Sequence, residues 1–344
     1  CALGLATPTA ILAGTGAAAG LGIVFKGGDV LERLSRVSIA VFDKTGTLTR
    51  GAPMLVDIQA GAGLTPRQVL ALAAAVECGS LHPIAKAVRD YAARHDIEYP
   101  AGTELVTLAG AGVTGRVASE AVALGSVSFL ERLGVKGIPA ELESPEGGML
   151  VGVARTGRYC GTLTFKDRMR DDAPGMVSYF RRKGLDTLLL SGDRQECTDK
   201  VAKSAGVARG IGSLSPADKT REIEKLQSDG ATVLMVGDGI NDAPALSEAD
   251  VGCAVAGGTD IALETSDLVL AKPDLERLSQ AHRMARRTMA VVRQNLVWAF
   301  LYNLIGIPLA MTGRLTPIYA AAAMALSSVC VVGNSLRLMR TSDE

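Results

Sequence analysis

Three apolar runs that each end in a short acid-bearing loop constrain this 344-residue chain more than any other feature. Val37 to Phe42 leads into Asp43-Lys44-Thr45-Gly46. Thr187 to Leu190 leads into Ser191-Gly192-Asp193, and Thr232 to Val236 leads into Gly237-Asp238-Gly239. A short, continuously apolar run is the pattern of a strand buried on both faces. Helical patterns lie between the runs, at Ala173 to Lys183 and Pro216 to Gln227. Strand–loop–helix alternation predicts a parallel sheet with its site at the carboxyl ends of the strands. Residues 51–157 interrupt the alternation and are too many for a loop, so they predict an inserted second domain.

Both ends of the chain are apolar. Cys1 to Val24 carries no charge, which suits a membrane-crossing helix over 1–25 or a buried small-residue helix. Asn295 to Thr312 and Leu315 to Leu336 are also uncharged, with Arg314 between them. They predict a helical hairpin at 289–312 and 315–336. Arg283, Arg286, Arg287 and Arg293 precede it, while Arg337 and Arg340 follow it, so both outer ends are expected on the cytoplasmic side. Lysine plus arginine equals aspartate plus glutamate at 36 each, so no charge excess points to nucleic acid. The six cysteines have no paired spacing, which fits reduced thiols better than a disulfide framework. The chain opens at Cys1 without a signal peptide, the expectation for a piece of a longer protein.

An aspartate at a strand end can be a mere cap. Asp43 instead opens the string DKTGTLT, and Asp238 and Asp242 follow another strand about one helical turn apart, where they would converge on a hard cation. DKTGTLT, SGD and GDGINDAPAL together resemble the signature of P-type ATPases, members of the haloacid dehalogenase superfamily. The resemblance implies an α/β fold: a haloacid-dehalogenase-like Rossmannoid phosphorylation domain (26–50 and 158–280) with an inserted α+β nucleotide-binding domain (51–157), flanked by transmembrane helices. It implies that Asp43 is a nucleophile that takes phosphate from ATP. Asp43, Asp238 and the Thr45 carbonyl would hold Mg2+, and Lys219 would neutralise the transferring phosphoryl group. Ser191 stands where the family more often has threonine and keeps the hydroxyl. Asp193, Asn241 and Asp242 would orient nucleotide, phosphate and metal. Lys219 also reads as a solvated helix lysine, and Asp167 with Arg170 as either a hinge or a surface ion pair.

Gly110-Ala111-Gly112-Val113-Thr114-Gly115 has the form GxGxxG, and equally reads as a glycine-rich turn between strands. Glu77, His82 and Pro83 make the first reading stronger, because the set resembles the nucleotide-binding domain of the heavy-metal P-type ATPases. That likeness assigns Glu77 and His82 to the adenine end, with Gly110 and Gly112 letting the backbone approach ATP. Leu81 stands where that branch often has glutamate. His95 and His282 lack such company and are expected on the surface.

Cys1 with Pro8, Tyr302-Asn303 with Pro308, and Met324 with Ser327-Ser328 resemble the Cu(I)-transporting subgroup, in which Cys1 would end a CPC motif. The likeness makes Cys1, Tyr302, Asn303, Met324 and Ser328 the path for Cu(I) or Ag(I), since thiolate and thioether favour soft cations. Met324 is equally a gap-filler and Tyr302 an interfacial anchor. The resemblance further implies a multi-pass plasma-membrane protein that exports Cu(I) from the cytosol, with a copper chaperone as metal donor and no nucleic-acid partner. The competing readings are a soluble phosphatase of the superfamily and a Zn/Cd/Pb pump. The second is opposed by the lack of any acidic residue in Asn295–Thr312 and Leu315–Leu336.

Overall fold

The computed structural model describes residues 2–61, 63–108, 110–140, 142, 148–239, 242–255, 264–312 and 316–339. It divides into two units, Cys1–Leu48 with Asp171–Glu344, and Thr49–Arg170.

In the first unit a seven-stranded sheet runs in the order Ile23–Phe25, Leu268–Leu270, Val251–Val255, Val233–Gly237, Ile39–Asp43, Asp186–Leu190, Arg209–Ile211. All pairings are parallel except the first. Ile39–Asp43 and Val233–Gly237 are buried along their whole length, which explains their unbroken apolar sequence. Ile39, Val41, Leu188, Leu190, Val233 and Met235 pack with Ile223 and Leu246 of flanking helices. Each such fully buried side chain contributes about 1.5–3 kcal/mol. The central strand pairs Asp43 with Leu190 on one side and Phe42 with Val236 on the other. Sheet order therefore brings the three acid-bearing loops to one edge.

Helix ends in this unit follow local chemistry. Ser215 accepts from the Asp218 amide and Asp218 answers at the Ser215 amide, a capping box that starts the helix Pro216–Ser228 with proline in its first turn. That start puts Lys219 one turn in, on the buried side. Gly206, at φ 76°, closes Gln195–Ala205 in the left-handed conformation glycine tolerates.

The second unit is a six-stranded antiparallel sheet, in the order Thr49–Ala60, Arg158–Met169, Met149–Arg155, Glu120–Gly125, Gly112–Val117, Thr103–Leu108. Its core joins Leu70 and Val88 of the helices Pro66–Val76 and Pro83–Arg94 to Leu124, Val153, Leu163 and Phe165. The unit ends at Arg170 rather than at 157, because Arg158–Met169 pairs with Met149–Arg155 and then with Thr49–Ala60. Asp167 accepts from the Thr49 hydroxyl at 2.5 Å and Arg170 donates to the Thr49 carbonyl at 3.2 Å, which ties the two ends of this unit together.

The expected 1–25 helix stops at Gly20, since Ile23–Phe25 joins the seven-stranded sheet. The expected 289–312 segment is the far part of one continuous helix, Glu276–Met311, and its partner is Pro317–Leu336. These two are the described helices long and apolar enough to cross a membrane, by length and composition. Ala10 and Ala13 of Ala2–Gly20 pack with Val292 and Leu338.

Candidate active site

The end of strand Ile39–Asp43 meets the first turn of helix Pro216–Ser228. Asp43, Lys219 and Asp242 are all buried there, at 5%, 5% and 1% exposure. Lys219 Nζ donates to Asp43 Oδ1 at 2.5 Å and to Asp242 Oδ1 at 2.6 Å. Burial raises the Asp43 carboxyl above the ordinary range, the Asp242 charge adds to this, and Lys219 opposes it. Burial works against the Lys219 cation, yet the Asp43 and Asp242 charges hold its pKa above normal. The reading of Lys219 as a solvated helix lysine is thereby set aside.

The turn after Asp43 needs Gly46. Its φ is 75°, and a Cβ there would overlap the Asp238 carboxylate. Asp238 is thus brought against the Asp43 loop, close enough for its charge to act on Asp43. Asp242 Oδ2 is buried with no hydrogen-bond partner among the described residues. Among the described residues no group of three or more His, Cys, Asp or Glu side chains has a metal-holding arrangement. Two carboxylates beside a phosphoryl group are what Mg2+ usually takes from a protein, so the donors present fit that ion. Ser191 is buried, and its Oγ accepts from the Asp193 amide at 3.1 Å, which leaves its own proton to donate. The Asp193 carboxylate is paired with Lys44, a partnership the sequence did not suggest. Asn241 and Cys1 lie outside the described residues.

In the second unit a cavity of about 340 Å³ is lined by Glu77, His82, Gly110, Gly112, Leu124 and Val151, among others. Burial raises the Glu77 carboxyl against a hydrogen bond from Ser80. Arg89 donates to the Glu77 and Ser80 carbonyls and so fixes the segment between them. His82 caps the helix Pro83–Arg94, its Nδ1 accepting from the Ile84 amide at 3.2 Å. The proton then sits on Nε2, a donor for a ligand. Gly110 and Gly112 do form a turn between strands, at Thr103–Leu108 and Gly112–Val117, while also lining the cavity. A Cβ at Gly112 would strike the Leu124 carbonyl and the Phe129 ring, so close packing alone requires glycine there.

Among the described metal-path side chains, Asn303 and Ser328 bond back within their own helices. The Asn303 amide turns back onto the Ala299 carbonyl at 3.1 Å, and the Ser328 hydroxyl onto the Met324 carbonyl at 3.1 Å. Met324 is exposed. Tyr302 lies in the same helix as Asn303, with its side chain outside the described atoms. His282 overturns its surface expectation. It is 1% exposed, with Nδ1 2.9 Å from the Tyr179 hydroxyl, and burial pushes its pKa down to about 4. Leu278, Ala281 and Ala285 are buried with it, a helical spacing of apolar residues that could have revealed the buried face.

The model of the haloacid dehalogenase-like hydrolase family matches residues 37–250. The "Probable copper-exporting P-type ATPase V" of Mycobacterium tuberculosis is 44% identical over 346 residues, which span 99% of this chain and 45% of that protein. The "Copper-exporting P-type ATPase" of Bacillus subtilis is 42% identical, over 99% of this chain and 43% of its own length. The chain thus spans about half the length of the curated relatives it matches. A solved zinc-transporting PIB-type ATPase in an E2.Pi state superposes with a TM-score of 0.85 at 36% identity, over 98% of this chain and 56% of that one.

Proposed function

The chain belongs to the haloacid dehalogenase-like hydrolases, and within them to the P-type ATPases, and from that premise we propose that it works in a pump that exports Cu(I) at the expense of ATP. The observation that carries the catalytic half of this reading is Lys219 bridging Asp43 and Asp242 at the sheet edge.

Lys219 engages Asp43 Oδ1, so Oδ2 is the oxygen that attacks the γ-phosphorus of ATP. The bond from that phosphorus to the bridging oxygen breaks, ADP departs, and an acyl phosphate forms on Asp43. Lys219 offsets charge on the phosphoryl oxygens, and the Ser191 proton donates to one of them. Asp43, Asp238 and the Thr45 carbonyl would hold Mg2+, which supplies further charge neutralisation at the transferring group. Asp242 and Asn241 orient this cluster, and Asp193 acts through Lys44. Glu77, His82, Gly110 and Gly112 take the adenine end in the 340 Å³ cavity.

The transported ion is read from the relatives named as copper exporters and from the helices Glu276–Met311 and Pro317–Leu336. Cys1, Tyr302, Asn303, Met324 and Ser328 are the proposed ligands, Ag(I) shares their soft chemistry, and a copper chaperone is the proposed donor. A zinc reading is favoured by the solved zinc transporter. It is opposed by the uncharged segments Asn295–Thr312 and Leu315–Leu336, which offer a hard divalent ion no carboxylate. A soluble phosphatase would have no use for those segments. Phosphorylation from ATP in membranes, titrated with Cu(I), Ag(I) and Zn(II), separates these readings. Stimulation by Cu(I) and Ag(I) supports the proposal, and stimulation by Zn(II) alone rejects it.

A further inference from the structure

Asn295 is fully buried where three helices meet. Its Nδ2 donates to the Ala6 carbonyl at 3.2 Å and to Ser335 Oγ at 3.0 Å, and its Oδ1 accepts from Asn334 Nδ2 at 2.9 Å. One side chain therefore joins Ala2–Gly20, Glu276–Met311 and Pro317–Leu336. The Thr9 hydroxyl lies 3.3 Å from Ser335 Oγ and extends the cluster. Ala10 and Ala13 of the first helix also pack with Val292 of the second and with Leu338, just past the end of the third. Further along the hairpin Trp298, Phe300, Leu304 and Ile307 are exposed, so the grip between the helices is concentrated at this end.

Apolar helices in lipid gain little from hiding more apolar surface. Close contact of small residues and interhelical hydrogen bonds set their register instead. Both are present here. Gly14 lies so close to Thr288 that a Cβ added to it would come 3.2 Å from the Thr288 Cβ. A slide of one helical turn, about 5.4 Å, would break the Asn295 bonds to both neighbouring helices. Only an amide can donate to Ala6 and Ser335 while accepting from Asn334; a carboxylate cannot donate and an aliphatic chain does neither. Pro8 sits two residues beyond Ala6, and a proline removes one backbone N–H and loosens the helix around it. Asn295 holds Ala2–Gly20 two residues before that proline.

We propose that Asn295 is a positioning residue for metal transport. It fixes the height of the helix that leads back to Cys1 against the hairpin that carries Asn303 and Met324, an assignment that rests on the pump reading above. Asn295 contacts no ligand itself.

Two readouts in the membrane-embedded protein test this. In a background lacking Cys330, Gly14→Cys with Thr288→Cys places two thiols close enough to cross-link, and the bridge is mapped by mass spectrometry. With Asn295 present the bridge forms on mild oxidation. With Asn295→Leu it should form about tenfold more slowly, as the helices slip. Should Asn295→Leu fail to fold, Ser335→Ala removes one bond and should give a smaller slowing. The Cu(I) concentration for half-maximal labelling of Asp43 from ATP should rise about tenfold in Asn295→Leu, while ATP affinity stays unchanged. An undiminished cross-linking rate in Asn295→Leu overturns the clasp. Slowed cross-linking with unchanged Cu(I) dependence overturns the transport role. If the parent protein shows no Cu(I)-dependent labelling, the pump reading fails, and the cross-linking result still decides whether Asn295 sets the register.

Discussion

Lys219 Nζ lies 2.5 Å from Asp43 and 2.6 Å from Asp242, so one buried cation holds the carboxylates of a strand end and a helix start together. Neither carboxylate is well placed without it. Two acids buried side by side repel one another, and leaving one member of a buried ionic cluster unpaired costs about 3–5 kcal/mol.

Lys219→Met should therefore drive Asp43 further toward its protonated form and remove charge compensation at the phosphoryl group. Labelling of Asp43 from ATP should fall by about a hundredfold or more. Lys219→Arg keeps the charge on a larger, planar head and should retain only part of the rate. Labelling of Lys219→Met at the parent rate would show that the bridge plays no part in phosphoryl transfer.

His82 has two tasks that different substitutions separate. Its Nδ1 caps the helix Pro83–Arg94, and its Nε2 is available to the cavity. His82→Ala should lose ATP affinity and also about 1 kcal/mol of stability from the missing cap. His82→Asn restores a capping acceptor without the imidazole, so it should lose ATP affinity while melting like the parent. Calorimetric titration with ATP, paired with thermal melting, reads both. Full ATP affinity in His82→Asn would place the adenine elsewhere.

The buried His282 predicts a pH dependence with a definite sign. The unfolded chain takes up this proton near 6.5, whereas the folded protein resists it until about 4. Between those values the unfolded state binds more protons, so this group's contribution to stability is lost as pH falls through the window. Asp43, raised in the fold, contributes with the opposite sign, its part declining as pH rises from the ordinary aspartate range. The difference between parent and His282→Gln cancels the Asp43 contribution. Melting from pH 7 down to about 4 should lower the parent more steeply than the variant, by at most on the order of 3 kcal/mol. Parallel curves would mean that His282 is not held neutral.

What the sequence revealed was local, and what it hid was not. Val37–Phe42 and Thr232–Val236 announced buried strands because burial on both faces leaves an uninterrupted apolar run. The helical pattern from Pro216 to Gln227 located Lys219 within a turn of its helix start, and the structure adds the capping box at Ser215. The expected boundary at 157 left Arg158–Met169 with the phosphorylation domain, because a strand's own residues do not name its partner and the pairing with Thr49–Ala60 spans the whole inserted unit. Ile23–Phe25 was swallowed by the apolar run before it, since three residues on a sheet edge leave no periodic signal. Lys44 with Asp193 and Asn295 with Ala6 are pairings of distant residues, which no reading of spacing reaches.

The central claim is that Asp43 becomes covalently phosphorylated by ATP, and labelling with γ-32P ATP followed by acid quench tests it most directly. The label should be stable in acid, released by hydroxylamine as an acyl phosphate is, mapped to the peptide containing Asp43, and absent from Asp43→Asn. An undiminished label in Asp43→Asn, or a label that resists hydroxylamine, would contradict the account.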